Sequence, residues 1–216
     1  MSTLDEQLTT AFEELRVTKG KQDSLYHYLS ILREKDEATY THSVRVGLLG
    51  RDIAAFMHLD QKALLYAGLL HDIGKALIDP AILKKTSGFN EGDMAAMRTH
   101  PELSYKLLRG VFDYSAEIAL RHHQFQEKGY PKHIPRSRVF STLSSTAMIN
   151  FYARLLSLAD FYDAASTRKN NKFGEPKQLT EEEVKEILLA AHPDQKALIG
   201  ELYTAGIFGN NRLPLS

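Results

Sequence analysis

Polar dipeptides stand where apolar helical stripes ought to continue, and that placement limits the fold more than any other feature of the chain. Leu64, Ala67, Gly68 and His71 follow i, i+3, i+4, i+7. His71 therefore projects from a core-facing stripe near the end of a helix, with Asp72 beside it. Ile118 and Ala119 precede His122 and His123 by four residues each. Two consecutive helical residues point about 100° apart, so both reach one site if it lies between them. Over residues 139–167, Asp160 and Asp163 share a stripe with Ile149, Ala153 and Leu156. An aspartate at a core-facing position has to be paired, hydrogen-bonded or metal-bound. Such a chain must fold so that these positions meet in its interior.

Helical periodicity runs through the rest of the sequence, and no segment alternates as a strand does, which makes the expected class all-α. Leu4, Leu8, Phe12 and Leu15, then Leu25, Tyr28, Leu29 and Leu32, predict a helical hairpin over residues 1–36 that packs on the core. Val44, Leu48, Leu49, Ile53 and Phe56 continue the pattern from Thr39 to Met57, with His42 near its start. The next helix is expected from Gln61 to Ile73, with Gly74 as its stop. Asn90 with Asp93 reads as a capping pair, Pro101 predicts a kink or restart after His100, and Ser115 is expected to cap the helix before His122. Gly129, Pro131 and Pro135 mark a surface loop. Thr180 with Glu183 predicts a capped tail helix, and a last helix is expected over 195–206. The expected organisation is a hairpin at 1–36, a helical bundle at 37–173 and a helical extension at 174–216.

Composition narrows the function. Lys and Arg together match Asp and Glu at 27 each, so no overall basic field exists to attract a nucleic-acid polymer or an anionic membrane. The absence of cysteine removes disulfides, thiolate metal sites and cysteine nucleophiles. The opening residues MSTLDEQL do not form a signal-peptide pattern, and no apolar run approaches the ~18 residues of a membrane span. The expectation is a soluble cytoplasmic protein. A local site for a phosphorylated small molecule remains compatible with all of this.

Taken in order, His42, His71, Asp72, His100, His122, His123 and Asp160 form a series of imidazoles and carboxylates, a donor set suited to first-row divalent metals. Any one of these histidines would be at home as an ordinary core or surface residue. It is the ordered set around His71-Asp72-Ile73-Gly74-Lys75 that points to metal. His27, His58, His133 and His192 lack that context and are expected at the surface or its boundary.

The stretches HSVRVGLLGRDIA (42–54), GLLHDIGKALIDPAIL (68–83), THPELSYKLL (99–108), IALRHHQFQEKGYP (118–131) and ARLLSLADFYDAASTRK (153–169) resemble the HD superfamily of metal-dependent phosphohydrolases. They are most similar to its HD-GYP branch, whose members hydrolyse cyclic dinucleotides. The resemblance implies an HD-domain helical bundle and two divalent ions, iron or manganese. His42, His71, Asp72 and Asp160 would hold one ion. Asp72 would bridge to the other, held by His100, His122 and His123. It also implies Asp72 and Lys75 in catalysis, with Lys75, Tyr130, Lys169 and Lys172 contacting a phosphorylated substrate. Arg154 and Asp163 would support the site from behind.

The chain departs from the family pattern in places. Ala38 stands where members with a third metal carry a glutamate, which favours two ions. The loop after His123 is one residue shorter than the family's and lacks its Asp-Gly pair, and the stretch from Pro131 to Asp160 is longer than usual. The reading is thus a cyclic di-GMP or related cyclic dinucleotide phosphodiesterase in which the metals activate water. Two alternatives stay open: a broader nucleotide or phosphate-ester hydrolase, and a catalytically weak regulatory module. A regulatory protein partner or a homo-oligomer completes the expectation.

Overall fold

Close approach of two helices sets the centre of the molecule. In the computed structural model, α3 (Glu37–Phe56) and α4 (Gln61–Leu70) cross where Gly68 meets Gly47, and a Cβ added at Gly68 would lie 2.6 Å from the Gly47 Cα. Any side chain there would force the pair apart, and with it the ends that carry His42 and His71. Asp36 caps α3 by accepting from the Thr39 amide, and Asp60 caps α4 through the amides of Lys62 and Ala63. Each such cap contributes about 1 kcal/mol.

The structure describes residues 3–85, 88–126, 128–135, 137, 139–167 and 178–209. Among these residues there is no strand, and the class is all-α as expected. The middle pair is covered on both sides. On one side α1 (Leu4–Glu14) and α2 (Lys19–Lys35) bury Leu8, Phe12, Leu25 and Leu29 against Val44 and Leu65. On the other, α9 (Leu143–Thr167), α10 (Glu181–Ala191) and α11 (Lys196–Thr204) pack Leu156, Leu188 and Leu202 against Leu49, Ile53 and Leu64. Burying each such leucine is worth about 1.5–3 kcal/mol, so both coverings are held chiefly by apolar burial. No helix among the described residues is long and apolar enough to cross a membrane.

The remaining helices close one end. Short α5 (Pro80–Leu83) and α6 (Glu91–Met97) lead to α7 (His100–Leu108) and α8 (Asp113–Arg121). The Asn90/Asp93 and Thr180/Glu183 capping boxes form as the sequence indicates, and Pro101 restarts the chain at the first turn of α7. Two details differ from expectation. The fourth helix stops at Leu70 rather than Ile73, and a 3-10 turn over Ile73–Leu77 follows. Ser115 lies buried inside α8, which begins at Asp113, and it caps nothing.

Candidate metal centre

The sharp turn after α4 puts Asp72 at the middle of the site. A Cβ on Gly74 would fall 2.2 Å from the His100 carbonyl oxygen, so only glycine lets the turn lie against α7. Ser104 locks the contact: its hydroxyl accepts from the Gly74 amide at 2.8 Å and donates to the His71 carbonyl at 2.7 Å. The start of α7 and the end of α4 therefore share a boundary. His122 and His123 join from the C-terminal end of α8.

One device orients the imidazoles. Nδ1 of His71, His100 and His122 each meets the carbonyl oxygen three residues earlier, Gly68 at 2.7 Å, Met97 at 2.8 Å and Ala119 at 2.5 Å. A carbonyl only accepts, so each Nδ1 carries the proton and each Nε2 presents a lone pair. His42 does the same with a carboxylate: its Nδ1 donates to Asp163 Oδ2 at 2.7 Å. The rings converge, with centroids 5.3 Å apart for His42–His71, 5.1 Å for His71–His122 and 5.0 Å for His100–His123.

Asp72 lies between two sets of these lone pairs. Its Oδ2 is 3.3 Å from His71 Nε2 and 3.7 Å from His42 Nε2, while its Oδ1 is 3.2 Å from His100 Nε2. Asp160 Oδ1 lies 3.0 Å from His42 Nε2 and 3.9 Å from His71 Nε2. Donor atoms of His42, His71 and Asp160 fall within 4.8 Å of one another, as do those of His71, Asp72 and His122, and those of His100, His122 and His123. His71 Nε2, Asp72 Oδ1, His100 Nε2 and His122 Nε2 are buried without a hydrogen-bond partner. Acceptors facing acceptors in a dry interior need a cation between them. The donor set fits divalent metal on this observation.

Charge is distributed unevenly through the cluster. Burial holds the His100 pKa down to about 3 and that of His122 to about 4, and it pushes His123 well below its ordinary value. Burial also opposes the His71 imidazolium, but Asp72 and Asp160 outweigh it and raise that pKa. Burial favours the neutral acid at Asp72, yet His71, Lys75 and His100 hold it well below the carboxylate range. Asp160 is held low against the same burial by His42 and His71.

Sequence reasoning missed Arg45. Its guanidinium grips Asp163 with two bonds, Nε to Oδ1 at 2.7 Å and Nη2 to Oδ2 at 3.0 Å, and so fixes the carboxylate that orients His42. The spacing held a signal: His42 and Arg45 are i, i+3 on α3, facing Asp160 and Asp163 at i, i+3 on α9. Gln126 was also missed; its side-chain amide lies 2.7 Å from His123 Nδ1.

The other expected residues divide. Lys75 Nζ lies 2.5 Å from Asp72 Oδ2. The loop after α8 folds back, with Gln124 Nε2 donating to the Pro131 carbonyl at 3.2 Å, and a cis bond joins Tyr130 to Pro131. The Tyr130 ring stacks on His123 at 4.6 Å, and the Arg98 guanidinium lies 5.8 Å from that tyrosine ring. Arg154 points elsewhere: it holds Asp194 through Nε at 3.1 Å and Nη2 at 2.5 Å, and reaches His192 Nδ1 at 2.6 Å. His192 is thereby buried, a correction to the surface or boundary position expected for a histidine outside the motif. Lys169 and Lys172 lie outside the described residues.

An all-α bundle with a buried histidine and aspartate cluster at the junction of α3, α4, α7, α8 and α9 defines the class: a helical domain built around a metal-type donor set. The HD domain family matches residues 39–165, and the chain belongs to it. A cyclic di-GMP phosphodiesterase of Pseudomonas aeruginosa is 31% identical over 155 residues, 68% of this chain and 35% of that protein. A cyclic di-GMP phosphodiesterase of Thermotoga maritima is 29% identical over 195 residues, 85% of this chain and 47% of that protein. The chain thus spans between a third and a half of the length of these curated relatives. The crystal structure of the HD domain of L. monocytogenes phosphodiesterase PgpH matches with a TM-score of 0.56 at 18% identity. The match covers 82% of this chain and 86% of that one, and it establishes the shared fold.

Proposed function

We propose that the chain is a metal-dependent phosphodiesterase acting on a cyclic dinucleotide, with cyclic di-GMP the leading candidate. The carrying observation is the placement of Asp72, which turns one oxygen toward His42 and His71 and the other toward His100. That is the arrangement a carboxylate needs to bridge two ions. In this reading His42, His71, Asp72 and Asp160 would hold one ion, and Asp72, His100, His122 and His123 would hold the other. The nitrogen and oxygen donor set, without sulfur, suits iron or manganese. Two such ions would activate water at neutral pH and neutralise phosphoryl oxygens.

The protein's own groups do the rest. Asp72 orients the attacking water from the floor of the site. Lys75, now paired with Asp72, swings to the scissile phosphate and offsets the charge that builds there. Tyr130, with its ring on His123, and Arg98 beyond it line the approach for a planar anionic substrate. Lys169 and Lys172 belong to the proposal as phosphate contacts. Asp163 and Arg45 hold His42 in its ligand tautomer. Residues 37–173 are proposed as the catalytic unit, with α1 and α2 before it and α10 and α11 after it as coverings. The names of the relatives support the substrate class, among them a 3'3'-cGAMP-specific phosphodiesterase of Vibrio cholerae, 30% identical over 141 residues.

Protein loaded with Fe(II) or Mn(II) should convert cyclic di-GMP to the linear dinucleotide ending in a phosphate, and Asp72→Ala should not. Absence of turnover on cyclic dinucleotides with either metal overturns the proposal. The shorter loop without an Asp-Gly pair favours a second reading, a broader nucleotide hydrolase. Faster turnover of mononucleotides than of cyclic dinucleotides would decide for it.

A further inference from the structure

One buried side chain joins the C-terminal helices to the loop beside the metal centre. Arg154 stands on α9 with its side chain only 9% exposed. Its guanidinium takes both oxygens of Asp194, and Nη1 donates to His192 Nδ1. Both partners come from the 3-10 turn Pro193–Gln195 and the residue that enters it. They stand beyond residues 39–165, the span that the HD domain family matches. The same guanidinium lies over the Phe125 ring, 5.2 Å from its centroid. Arginine suits this double task, because its planar fork bonds a carboxylate while the group also stacks on an aromatic face.

Phe125 belongs to a loop that is closed on itself. The Gln126 and Tyr130 amides both donate to the His123 carbonyl, each at 3.4 Å. Gln124 reaches across to the Pro131 carbonyl, and a Cβ on Gly129 would fall 2.4 Å from the Gln124 carbonyl oxygen. The two limbs of the loop are therefore in contact. Gln126 touches His123 Nδ1, and the Tyr130 ring stacks on the His123 ring. Phe125 packs on the core that α9, α10 and α11 share. A loop braced in this way follows its anchor, so whatever fixes Phe125 also fixes His123 and Tyr130. A buried guanidinium held along its edge cannot shift without leaving its charge unpaired.

We infer that Arg154 is a positioning residue of the metal centre, through which the turn at His192 and Asp194 holds the Phe125 loop and with it His123 and Tyr130. Its bearing on catalysis rests on the metal-dependent phosphodiesterase reading. A purely structural Arg154 would pin α10 to α9 and leave the loop as it is. The contact with Phe125 is what separates the two roles.

Asp194→Ala tests this with little risk to folding, because that side chain is 60% exposed and its loss frees one edge of Arg154. Amide hydrogen exchange is followed by NMR on the metal-free full chain. The Gln124, Gln126 and Tyr130 amides should exchange about tenfold faster, while those of α3 and α4 keep their rates. Phe125→Leu keeps an apolar side chain but removes the ring, and it should reproduce the same local change. In both variants the Mn(II) affinity of the half formed by His100, His122 and His123 should fall about 3–10-fold by calorimetric titration. KM for cyclic di-GMP should rise more than kcat falls. Unchanged exchange at the loop amides in either variant overturns the inference. So does acceleration spread equally through α3 and α4, the result a purely structural role gives. A loosened loop with unchanged Mn(II) affinity overturns it as well. Exchange needs neither metal nor substrate, so a chain without turnover on cyclic dinucleotides would end the phosphodiesterase reading while the hold of Arg154 on the loop is decided separately.

Discussion

The two halves of the buried cluster are built from different chemistry. The half formed by His42, His71 and Asp160 carries acids, with Asp163 and the Arg45 guanidinium behind them. The half formed by His100, His122 and His123 has only imidazoles of its own. Burial acts on both, and Asp72 opposes it in both, but acids outweigh it only in the first. There Asp72 and Asp160 raise the His71 pKa despite its burial, whereas His100 and His122 fall to about 3 and about 4. A proton therefore competes with a cation in the acidic half, while the imidazole half stands deprotonated in advance. Metal ligation requires neutral imidazole, so the two halves meet that condition by different routes.

Asp72 is the one group both halves share, and removing it tests the comparison most severely. Asp72→Ala should lower phosphodiester hydrolysis by at least about 10³-fold and reduce metal content in both halves, read by elemental analysis of the purified protein. Loss of metal from one half alone would show that Asp72 does not bridge.

Asp163→Asn separates the halves. It keeps an acceptor for His42 Nδ1 but strips the partner from Arg45, so the acidic half should lose about 10–100-fold in metal affinity by calorimetric titration. The imidazole half should keep its affinity. An equal drop in both would mean that the two ions bind as one unit.

Acidification of metal-free protein sharpens the contrast. The folded-state pKa of His122, about 4, lies below the ordinary histidine value of 6.5, so the stability this neutral side chain contributes is present above 6.5 and is lost as pH falls through about 4. His100 acts in the same sense, through about 3. His71, whose folded-state pKa is raised, acts in the opposite sense: its contribution is present below 6.5 and is lost as pH rises through its folded value. The imidazole half should dominate, so the melting temperature of stripped protein should fall from about pH 6.5 downward, and His122→Gln should flatten that fall. A melting temperature that rises on acidification would place the weight on His71.

The site was more legible in the sequence than the ways it is held. His71, Asp72, His122 and His123 stand at core-facing positions of strong helical stripes, where local pattern already implies convergence. The i, i−3 carbonyl bonds at His71, His100 and His122 follow from those helix ends once the helices exist. Arg45 was harder to see, because its partner Asp163 lies 118 residues away and an arginine on a helix face is usually a solvated charge. His192 shows the same limit from the other side. It sits in a polar stretch, and only Arg154, 38 residues earlier on α9, brings it inside. The early stop of α4 depends on the fit of Gly74 against His100, a tertiary contact that no local propensity encodes.

Tyr130 gives the smallest expected effect and a finer test of the imidazole half. Its ring stacks on His123 with 26° between the planes, and Arg98 lies against the same ring. Tyr130→Phe keeps the stack, so metal content and kcat should hold, and KM for cyclic di-GMP should change by no more than about 2-fold. Tyr130→Ala removes the face on which His123 rests and a wall of the approach, and should raise KM several-fold with a lesser fall in kcat. If Tyr130→Phe instead cost as much as Tyr130→Ala, the hydroxyl rather than the ring would be the working part. The loop would then be reading the substrate by hydrogen bond, not bracing the half of the cluster that has no acid of its own.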